Sequence, residues 1–123
     1  MAKRILVVED DAPIREVVRR ILNREGYAID EAGDGQEALT KVKADHYGAI
    51  VLDLMLPKLS GYEVLDYLTR ERPNSKCVVI ISAAPEREIN KADPTIVKAV
   101  LRKPFELQDL VQAVDRCVNG HPA

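Results

Sequence analysis

The sequence predicts an α/β fold of three layers, in which a doubly wound parallel sheet of five strands lies between helices. Short apolar runs alternate with segments in which apolar residues recur at helical spacing, and this alternation continues along the chain. Some of the runs are apolar throughout, as expected for strands that are covered on both faces. Consecutive βα units of this kind place a parallel sheet at the centre and helices on both sides of it.

The first two βα units lie in the N-terminal part of the chain. Residues 5–8 form a buried strand, and the helix after it has Pro13 in its first turn and Gly26 placed as a left-handed cap at its end. Residues 27–31 form a weaker strand, which mixes polar and apolar residues and therefore lies nearer the edge of the sheet. A turn at residues 33–35 precedes the second helix. The apolar residues at helical spacing are Ile14, Val17, Val18, Ile21 and Leu22 in the first helix, and Ala38, Leu39 and Val42 in the second.

The third strand is residues 49–52, and Pro57 and Gly61 interrupt the loop that follows it. The third helix stops before Pro73. Right-handed crossovers favour the flavodoxin-like strand order 2-1-3-4-5, in which ligands bind at the carboxyl ends of strands 1 and 3. The other elements are strands at residues 77–81 and 97–101, a third helix with Val64, Leu65 and Leu68, and a final helix with Leu107, Leu110, Val111, Val114 and Val118 that ends near Asn119 and Gly120.

Length and charge limit the classes of function. The 123 residues fit one domain that covers residues 1–123. The formal net charge of −2, with both signs interspersed, gives no electrostatic reason for direct binding to nucleic acid or to an anionic membrane. The sequence shows neither a signal peptide nor a membrane-spanning run, so we expect a cytoplasmic protein. Cys77 and Cys117 lack a paired spacing, which favours reduced structural thiols.

Acidic residues follow two of the apolar runs. Glu9, Asp10 and Asp11 come directly after the first strand, and Asp53 comes directly after the third. If these strands are neighbours, the carboxylates of Glu9, Asp10 and Asp53 meet at one edge of the sheet and repel each other. A divalent cation or raised carboxyl pKa values would offset that repulsion. The cluster therefore predicts a metal-dependent phosphate site.

Two further residues follow strands at the same edge. Ser82 ends the fourth strand, and Lys103 follows the fifth directly before Pro104. Carboxylates with a hydroxyl and an ammonium suit phosphoryl transfer to an aspartate in the presence of Mg²⁺. Each residue alone has a simpler interpretation. Asp11 can cap the first helix and Asp53 can begin a loop, while Ser82 can bond a turn and Lys103 can be solvated. Their joint placement favours the functional interpretation.

Motifs along essentially the whole chain resemble the receiver domain of two-component response regulators. The resemblance implies that Asp53 is the phosphoacceptor, and that Asp10, Asp53 and the backbone carbonyl of Met55 hold Mg²⁺. It implies that Glu9 contributes to the metal site through water. The matching segments are Ile5-Leu6-Val7-Val8-Glu9-Asp10-Asp11, residues 31–39, Val51-Leu52-Asp53-Leu54-Met55-Leu56-Pro57, Ser60-Gly61, Ser82-Ala83 and Lys103-Pro104-Phe105.

The resemblance also assigns the phosphate contacts and the partner. Ser82 would hydrogen-bond the phosphoryl group, Lys103 would form an ion pair with it, and the peptide bond before Pro104 would be cis. The donor would be a phosphohistidine on a sensor histidine kinase or a histidine phosphotransfer protein. His46 and His121 are expected to be solvated rather than donors. The output partner stays open, and we expect a monomer or a weak dimer.

The chain departs from the family pattern at several positions. Val100 stands where the family has an aromatic residue three positions before Lys103, so the coupling from Ser82 to the surface of the fifth strand is expected to differ. Pro94 predicts a short or distorted helix between the fourth and fifth strands. That irregularity is either a harmless loop variant or a changed output face. Met55 and Ala84 stand at the positions that flank the attacking water in the family; neither can hold a water by hydrogen bonding, which predicts a long-lived phosphorylated form.

The site residues fit three classes of function to different degrees. The leading prediction is a phosphorylation-controlled switch that acts by protein–protein interaction and is not an enzyme. A magnesium-dependent aspartyl phosphatase is disfavoured, because Met55 stands where such enzymes carry a second Asp as general acid. A degenerate receiver, which binds partners without phosphorylation, is the alternative.

Overall fold

The computed structural model describes residues 3–71, 77–83 and 96–119. These residues form a five-stranded, wholly parallel sheet of order β2-β1-β3-β4-β5, which confirms the predicted fold. The strands are β1 (Arg4–Val8), β2 (Ala28–Ala32), β3 (Ala49–Asp53), β4 (Val78–Ser82) and β5 (Val97–Arg102), and the described helices are α1 (Ala12–Arg24), α2 (Gly35–Ala44), α3 (Gly61–Glu71) and α4 (Leu107–Asn119). The irregular helix that Pro94 predicts between β4 and β5 lies outside the described residues.

The sheet divides the core into two layers, because successive side chains of each strand point to opposite faces. Leu6 and Ile50 pack with α2 and α3 on one face, whereas Ile5 and Val51 pack with α1 and α4 on the other. All five residues of β3 and of β4 are buried. Burying one such aliphatic side chain contributes about 1.5–3 kcal/mol, so the two central strands anchor the site residues that follow them.

Helix α1 begins and ends as the sequence predicts. The side chain of Asp11 caps it, with Oδ1 accepting from the amide of Ile14 over 3.1 Å. Gly26 has φ of +96°, which confirms the left-handed conformation after the helix. The amide of Tyr27 then donates to the carbonyl of Leu22, so Tyr27 does not join the ladder and β2 begins one residue later than predicted.

Two glycines permit close approach of the loop after β3. A Cβ atom on Gly61 would lie 2.3 Å from the backbone oxygen of Asp53, and one on Gly35 would lie 1.6 Å from that of Leu59. Both distances are shorter than any real contact, so a side chain at either position would displace the backbone. Gly61 thus allows α3 to begin directly against the residue that ends β3.

The two ends of the described domain meet at the amino-terminal edge of the sheet. A Cβ atom on Gly48 would lie 3.6 Å from Val118 Cγ2 in α4 and 3.7 Å from Lys3 Cβ, just before β1. Cys77 and Cys117 are also at this edge; both are free thiols, and after burial the nearby Cys77 adds to the raised pKa of the Cys117 thiol. The spacing of the two cysteines along the chain does not predict this proximity.

The edge strand β5 alternates exposed and half-buried residues. Val100 is 40% exposed, whereas its neighbours Ala99 and Leu101 pack on the layer that contains α1 and α4. An apolar side chain therefore stands at the surface at the position where the sequence lacks the family's aromatic residue. Among residues 3–71, 77–83 and 96–119, no helix has the length and apolar character needed to cross a membrane.

Candidate functional site

The site lies at the carboxyl edge of the neighbouring strands β1 and β3. Val8 of β1 pairs with Leu52 of β3, so Glu9 and Asp53 come next to each other where these strands end. Glu9 is fully buried, and Asp53 is 2% exposed. The fold therefore brings together two carboxylates that are 44 positions apart in the numbering, and it holds both away from water.

Asp10 completes an acidic cluster with these two residues. One carboxylate oxygen from each of Glu9, Asp10 and Asp53 lies within 4.8 Å of the others. Asp10 is exposed, so the cluster opens to solvent on its side. Three hard oxygen donors at this spacing fit a divalent cation such as Mg²⁺, which favours carboxylates and retains water ligands.

Lys103 bridges two of the three carboxylates. Its Nζ donates to Glu9 Oε1 over 2.5 Å and to Asp53 Oδ2 over 3.0 Å. Burial acts to lower the pKa of the Lys103 ammonium, but the hydrogen bonds with Glu9 and Asp53 outweigh it and raise the pKa overall. The peptide bond between Lys103 and Pro104 is cis, as the resemblance implies. Lys103 is therefore a charged donor directed at the centre of the cluster.

The carboxyl group of Glu9 has a raised pKa, so it keeps its proton to a higher pH than an ordinary glutamate does. Burial raises the pKa of its carboxyl to about 7, and the adjacent Asp53 adds to the rise, while Lys103 and the amide of Asp11 oppose it. That amide donates to Glu9 Oε2 over 3.3 Å. The sequence predicted that either a divalent cation or raised carboxyl pKa values would offset the repulsion between the clustered carboxylates. The raised pKa of Glu9 is the second of these.

The two oxygens of Asp53 have different partners. Oδ1 accepts from the amide of Met55 over 3.0 Å, and Oδ2 accepts from Lys103. These contacts fix the orientation of the carboxylate. The Met55 side chain is exposed, and the residue as a whole is 57% exposed, so an apolar group flanks the opening of the site.

The other predicted residues lie where their strands place them. Ser82 is fully buried at the end of β4, and its carbonyl accepts from the amide of Lys103 over 3.0 Å. Ser82 and Lys103 are thus joined through the backbone at the same edge as the acidic cluster. His46 is exposed before β3, at the opposite edge of the sheet. Ala84 and His121 lie outside the described residues.

Arg15 is a polar neighbour of the site that sequence reasoning did not identify. Its Nη1 donates to the backbone carbonyl of Glu9 over 2.7 Å, and its Nε donates to Glu31 Oε1 over 3.2 Å. The sequence indicates only that Arg15 lies on α1, beside the apolar face of the helix and one turn after Asp11. The spacing of apolar residues predicts which face of a helix is buried, but it does not predict the contacts of a polar residue at the border of that face.

An apolar groove borders the site on the side of α1. It is lined by Pro13, Ile14, Val17, Pro104, Phe105 and Leu107, and Lys103 lies at its end. Val17 is 45% exposed. Exposed apolar side chains gathered beside a charged site are typical of a surface that binds another protein.

Comparison with known proteins identifies the class to which this fold and site belong. The family model for the response regulator receiver domain matches residues 5–115. The chain belongs to this family. It is a receiver domain of two-component response regulators, as the strand order and the sequence motifs predicted.

Relatives and solved structures agree with this assignment. The response regulator MprA of Mycolicibacterium vanbaalenii is 37% identical over 111 residues, which cover 90% of this chain and 48% of that protein. MprA of Mycobacterium tuberculosis is equally similar. The chain therefore spans about half the length of the curated relatives that it matches.

Two solved structures show the same fold at moderate identity. The receiver domain of the Francisella response regulator 1452 is 28% identical with a TM-score of 0.86, covering 96% of this chain and 98% of that one. TrrA of Thermotoga maritima, solved in complex with Mg²⁺ and BeF, is 31% identical with a TM-score of 0.83. Its alignment covers 94% of this chain and 98% of TrrA.

Proposed function

We propose that Asp53 accepts a phosphoryl group in a Mg²⁺-dependent reaction and that its modification changes which proteins this domain binds. The observation that carries the proposal is the convergence of Glu9, Asp10 and Asp53 at one sheet edge, with Lys103 bonded to Asp53. A purely structural carboxylate cluster would also be stabilised by the ammonium of Lys103, but it would gain nothing from an opening to solvent at Asp10. A phosphoryl acceptor needs both.

Four residues would hold the metal ion. Asp10 and Asp53 offer carboxylate oxygens, Met55 offers its backbone carbonyl and Glu9 contributes through a water molecule, so the donor set consists of hard oxygens only. Such a set suits Mg²⁺ rather than a thiophilic metal. When bound, the ion neutralises the clustered negative charge and polarises the phosphoryl oxygens.

The chain's own residues supply the nucleophile and its orientation. A carboxylate oxygen of Asp53 attacks the phosphorus of a phosphohistidine; the P–O bond forms, the P–N bond breaks, and the leaving imidazole takes a proton from solvent. The contacts with Met55 and Lys103 orient the carboxylate for this attack. Lys103 then stabilises a phosphoryl oxygen, and the Ser82 hydroxyl donates to another.

The modification would act as a switch because it places a phosphoryl group with a charge of roughly −2 inside a mostly buried site. Lys103 and Ser82 are joined through the backbone at the ends of β5 and β4. We propose that new contacts made by these two residues bias the strands between two packings, which is a population shift. Val100 stands at the β5 surface where the family has an aromatic residue, so we expect the coupling from Ser82 to that surface to differ from the family's.

The proposed donor is a sensor histidine kinase or a histidine phosphotransfer protein. The apolar groove beside Lys103 supports a protein donor, because a protein that covers exposed Val17 would also lie close to Asp53. The output partner is proposed to be another protein, contacted by a monomer or weak dimer of this domain. With a net charge of −2, the domain offers no basis for direct contact with nucleic acid.

Incubation with acetyl phosphate and Mg²⁺, followed by mass spectrometry, tests the proposal. We expect one phosphate adduct that EDTA prevents and that Asp53→Asn abolishes, while Asp66→Asn, on the exposed face of α3, retains it. No adduct on the wild-type protein would overturn the proposal and favour a receiver that acts without phosphorylation. Continuous release of phosphate would indicate an enzyme, which we do not expect because Met55 offers no general acid.

A further inference from the structure

We propose that Arg15 is a positioning residue for the metal and phosphoryl site, which it controls through the peptide bond between Glu9 and Asp10. The inference rests on the proposed function of that site. Arg15 contacts none of the three clustered carboxylates in the described structure. Its Nη1 instead donates to the backbone carbonyl of Glu9 over 2.7 Å.

This contact fixes the direction of two acidic side chains at once. The carbonyl of Glu9 and the amide of Asp10 belong to one planar peptide unit. Because Arg15 holds the oxygen, it restricts rotation of that plane and therefore the directions in which both residues project. The amide of Glu9 is held as well, since it donates to the carbonyl of Ala32 over 3.1 Å.

Arg15 is itself anchored from a second strand. Its Nε donates to Glu31 Oε1 over 3.2 Å near the end of β2, and the Arg15 side chain is only 23% exposed. Gly33 leaves room for the guanidinium, because a Cβ atom there would lie 3.2 Å from Nη1. The planar fork of the guanidinium spans Glu31 and the Glu9 carbonyl together, which a single ammonium cannot do in the same geometry.

The neighbouring arginine provides a matched comparison. Arg19 lies one turn further along α1 and its Nε is 3.9 Å from Glu31 Oε2, so it shares the same acidic partner. It also pairs with Glu16, and no contact with Glu9 is found for it in the described structure. Replacing Arg15 or Arg19 therefore removes a similar charge and a similar surface ion pair, but only the Arg15 change releases the peptide before Asp10.

The test is the Mg²⁺ affinity of Arg15→Met and Arg19→Met, measured by calorimetry with Mg²⁺ as the sole ligand. Loss of a group that orients metal ligands typically weakens metal binding 10–100-fold. We expect Arg15→Met to weaken Mg²⁺ binding about tenfold, at the lower end of that range. Arg19→Met should stay within about twofold of wild type. Both variants should melt at similar temperatures in EDTA, which separates positioning from stability.

If Arg15→Met does not fold, Arg15→Lys, which keeps the positive charge, replaces it in the test. We expect Arg15→Lys also to weaken Mg²⁺ binding several-fold. Equal Mg²⁺ affinity in wild type and the Arg15 variants, or equal weakening by Arg15→Met and Arg19→Met, would overturn the inference while leaving the proposed function intact. A wild-type protein that neither binds Mg²⁺ nor forms an adduct would instead overturn the proposed function, and the inference with it.

Discussion

Lys103 Nζ lies 3.0 Å from Asp53 Oδ2 and reaches it from the end of the edge strand β5, across the sheet edge from the acidic cluster. The same nitrogen contacts Glu9, so one ammonium partly neutralises two buried carboxylates. This relationship makes Lys103 important to the stability of the metal-free protein as well as to the proposed phosphoryl transfer.

Replacing Lys103 with Met should therefore destabilise the metal-free protein. Removing one partner of a buried ion pair leaves charge uncompensated, and we expect the free energy of unfolding in EDTA at pH 8 to fall by about 3 kcal/mol. Urea denaturation measures it. Lys98→Met, at an exposed position on the same strand, is the control and should change stability by less than about 0.5 kcal/mol. Equal stability of the two variants would contradict the expectation.

The stability of the metal-free protein should depend on the titration of Glu9. Its carboxyl pKa is about 7 in the folded protein, above the ordinary value of 4.5, so between these pH values the folded state binds more protons than the unfolded state. The free energy of unfolding therefore decreases as pH rises through this window and levels off above it. Glu9→Gln should remove this component. Denaturation series in EDTA from pH 4.5 to pH 8 check it, and parallel wild-type and variant curves would refute it.

Gly61→Ala should destabilise the fold and displace Asp53. The new Cβ atom would lie 2.3 Å from the backbone oxygen of Asp53 and 2.5 Å from Leu54 Cα, so the backbone must move. We expect a loss of about 3 kcal/mol in the free energy of unfolding and slower adduct formation. In Gly48→Ala the nearest atom is 3.5 Å away, an ordinary contact, so this control should resemble wild type. A Gly61 variant as stable as the Gly48 variant would contradict the steric argument.

Cys117 should react slowly with alkylating agents although Cys77 and Cys117 are both free. Burial raises the pKa of the Cys117 thiol, and the nearby Cys77 thiol raises it further. A higher pKa leaves less thiolate at any given pH, and the thiolate is the reactive form. Labelling with iodoacetamide at pH 8, read on the Cys117 peptide by mass spectrometry, should be at least about tenfold slower in the native protein than in urea. Equal rates in both conditions would show an ordinary thiol.

The phosphorylated form should be long-lived, because the Met55 side chain cannot hydrogen-bond a water near the phosphoryl group. Met55→Asn should shorten the lifetime of the adduct, while Met55→Leu, which stays apolar, should preserve it. Decay of the adduct after removal of the phosphodonor, followed by mass spectrometry at neutral pH, measures both. A wild-type half-life of seconds would refute the prediction.

The sequence predicted the strand order and the place of the acidic cluster because both follow from local patterns. Apolar runs located β1 and β3, and the residue directly after each run had to lie at the carboxyl edge. Glu9 and Asp53 must therefore lie next to each other if β1 and β3 are neighbours, without knowledge of any distance. Ser82 and Lys103 follow by the same rule, and the cis bond before Pro104 followed from the family resemblance alone.

Contacts between distant segments could not be predicted in this way. The pairing of Arg15 with the Glu9 carbonyl depends on how α1 packs against β1, and the contact between Cys77 and Cys117 depends on where α4 ends over the sheet. Gly61 was recognised as a loop residue, but its closeness to the Asp53 backbone appears only in three dimensions. In each case the packing of distant segments sets the contact, and spacing along the chain does not predict it.

The meeting of Lys3 and Val118 beside Gly48 has a consequence for any polypeptide joined to this domain. Lys3 and Val118 lie at the amino-terminal edge of the sheet, whereas Asp53 lies at the carboxyl edge, roughly the length of a strand away. A fused segment would therefore be attached away from Asp53 and would start without direct contact with a phosphoryl group on that residue. A structural change at Asp53 would reach such a segment through the strands and helices of the domain, or through a contact that the segment makes with the side of the domain.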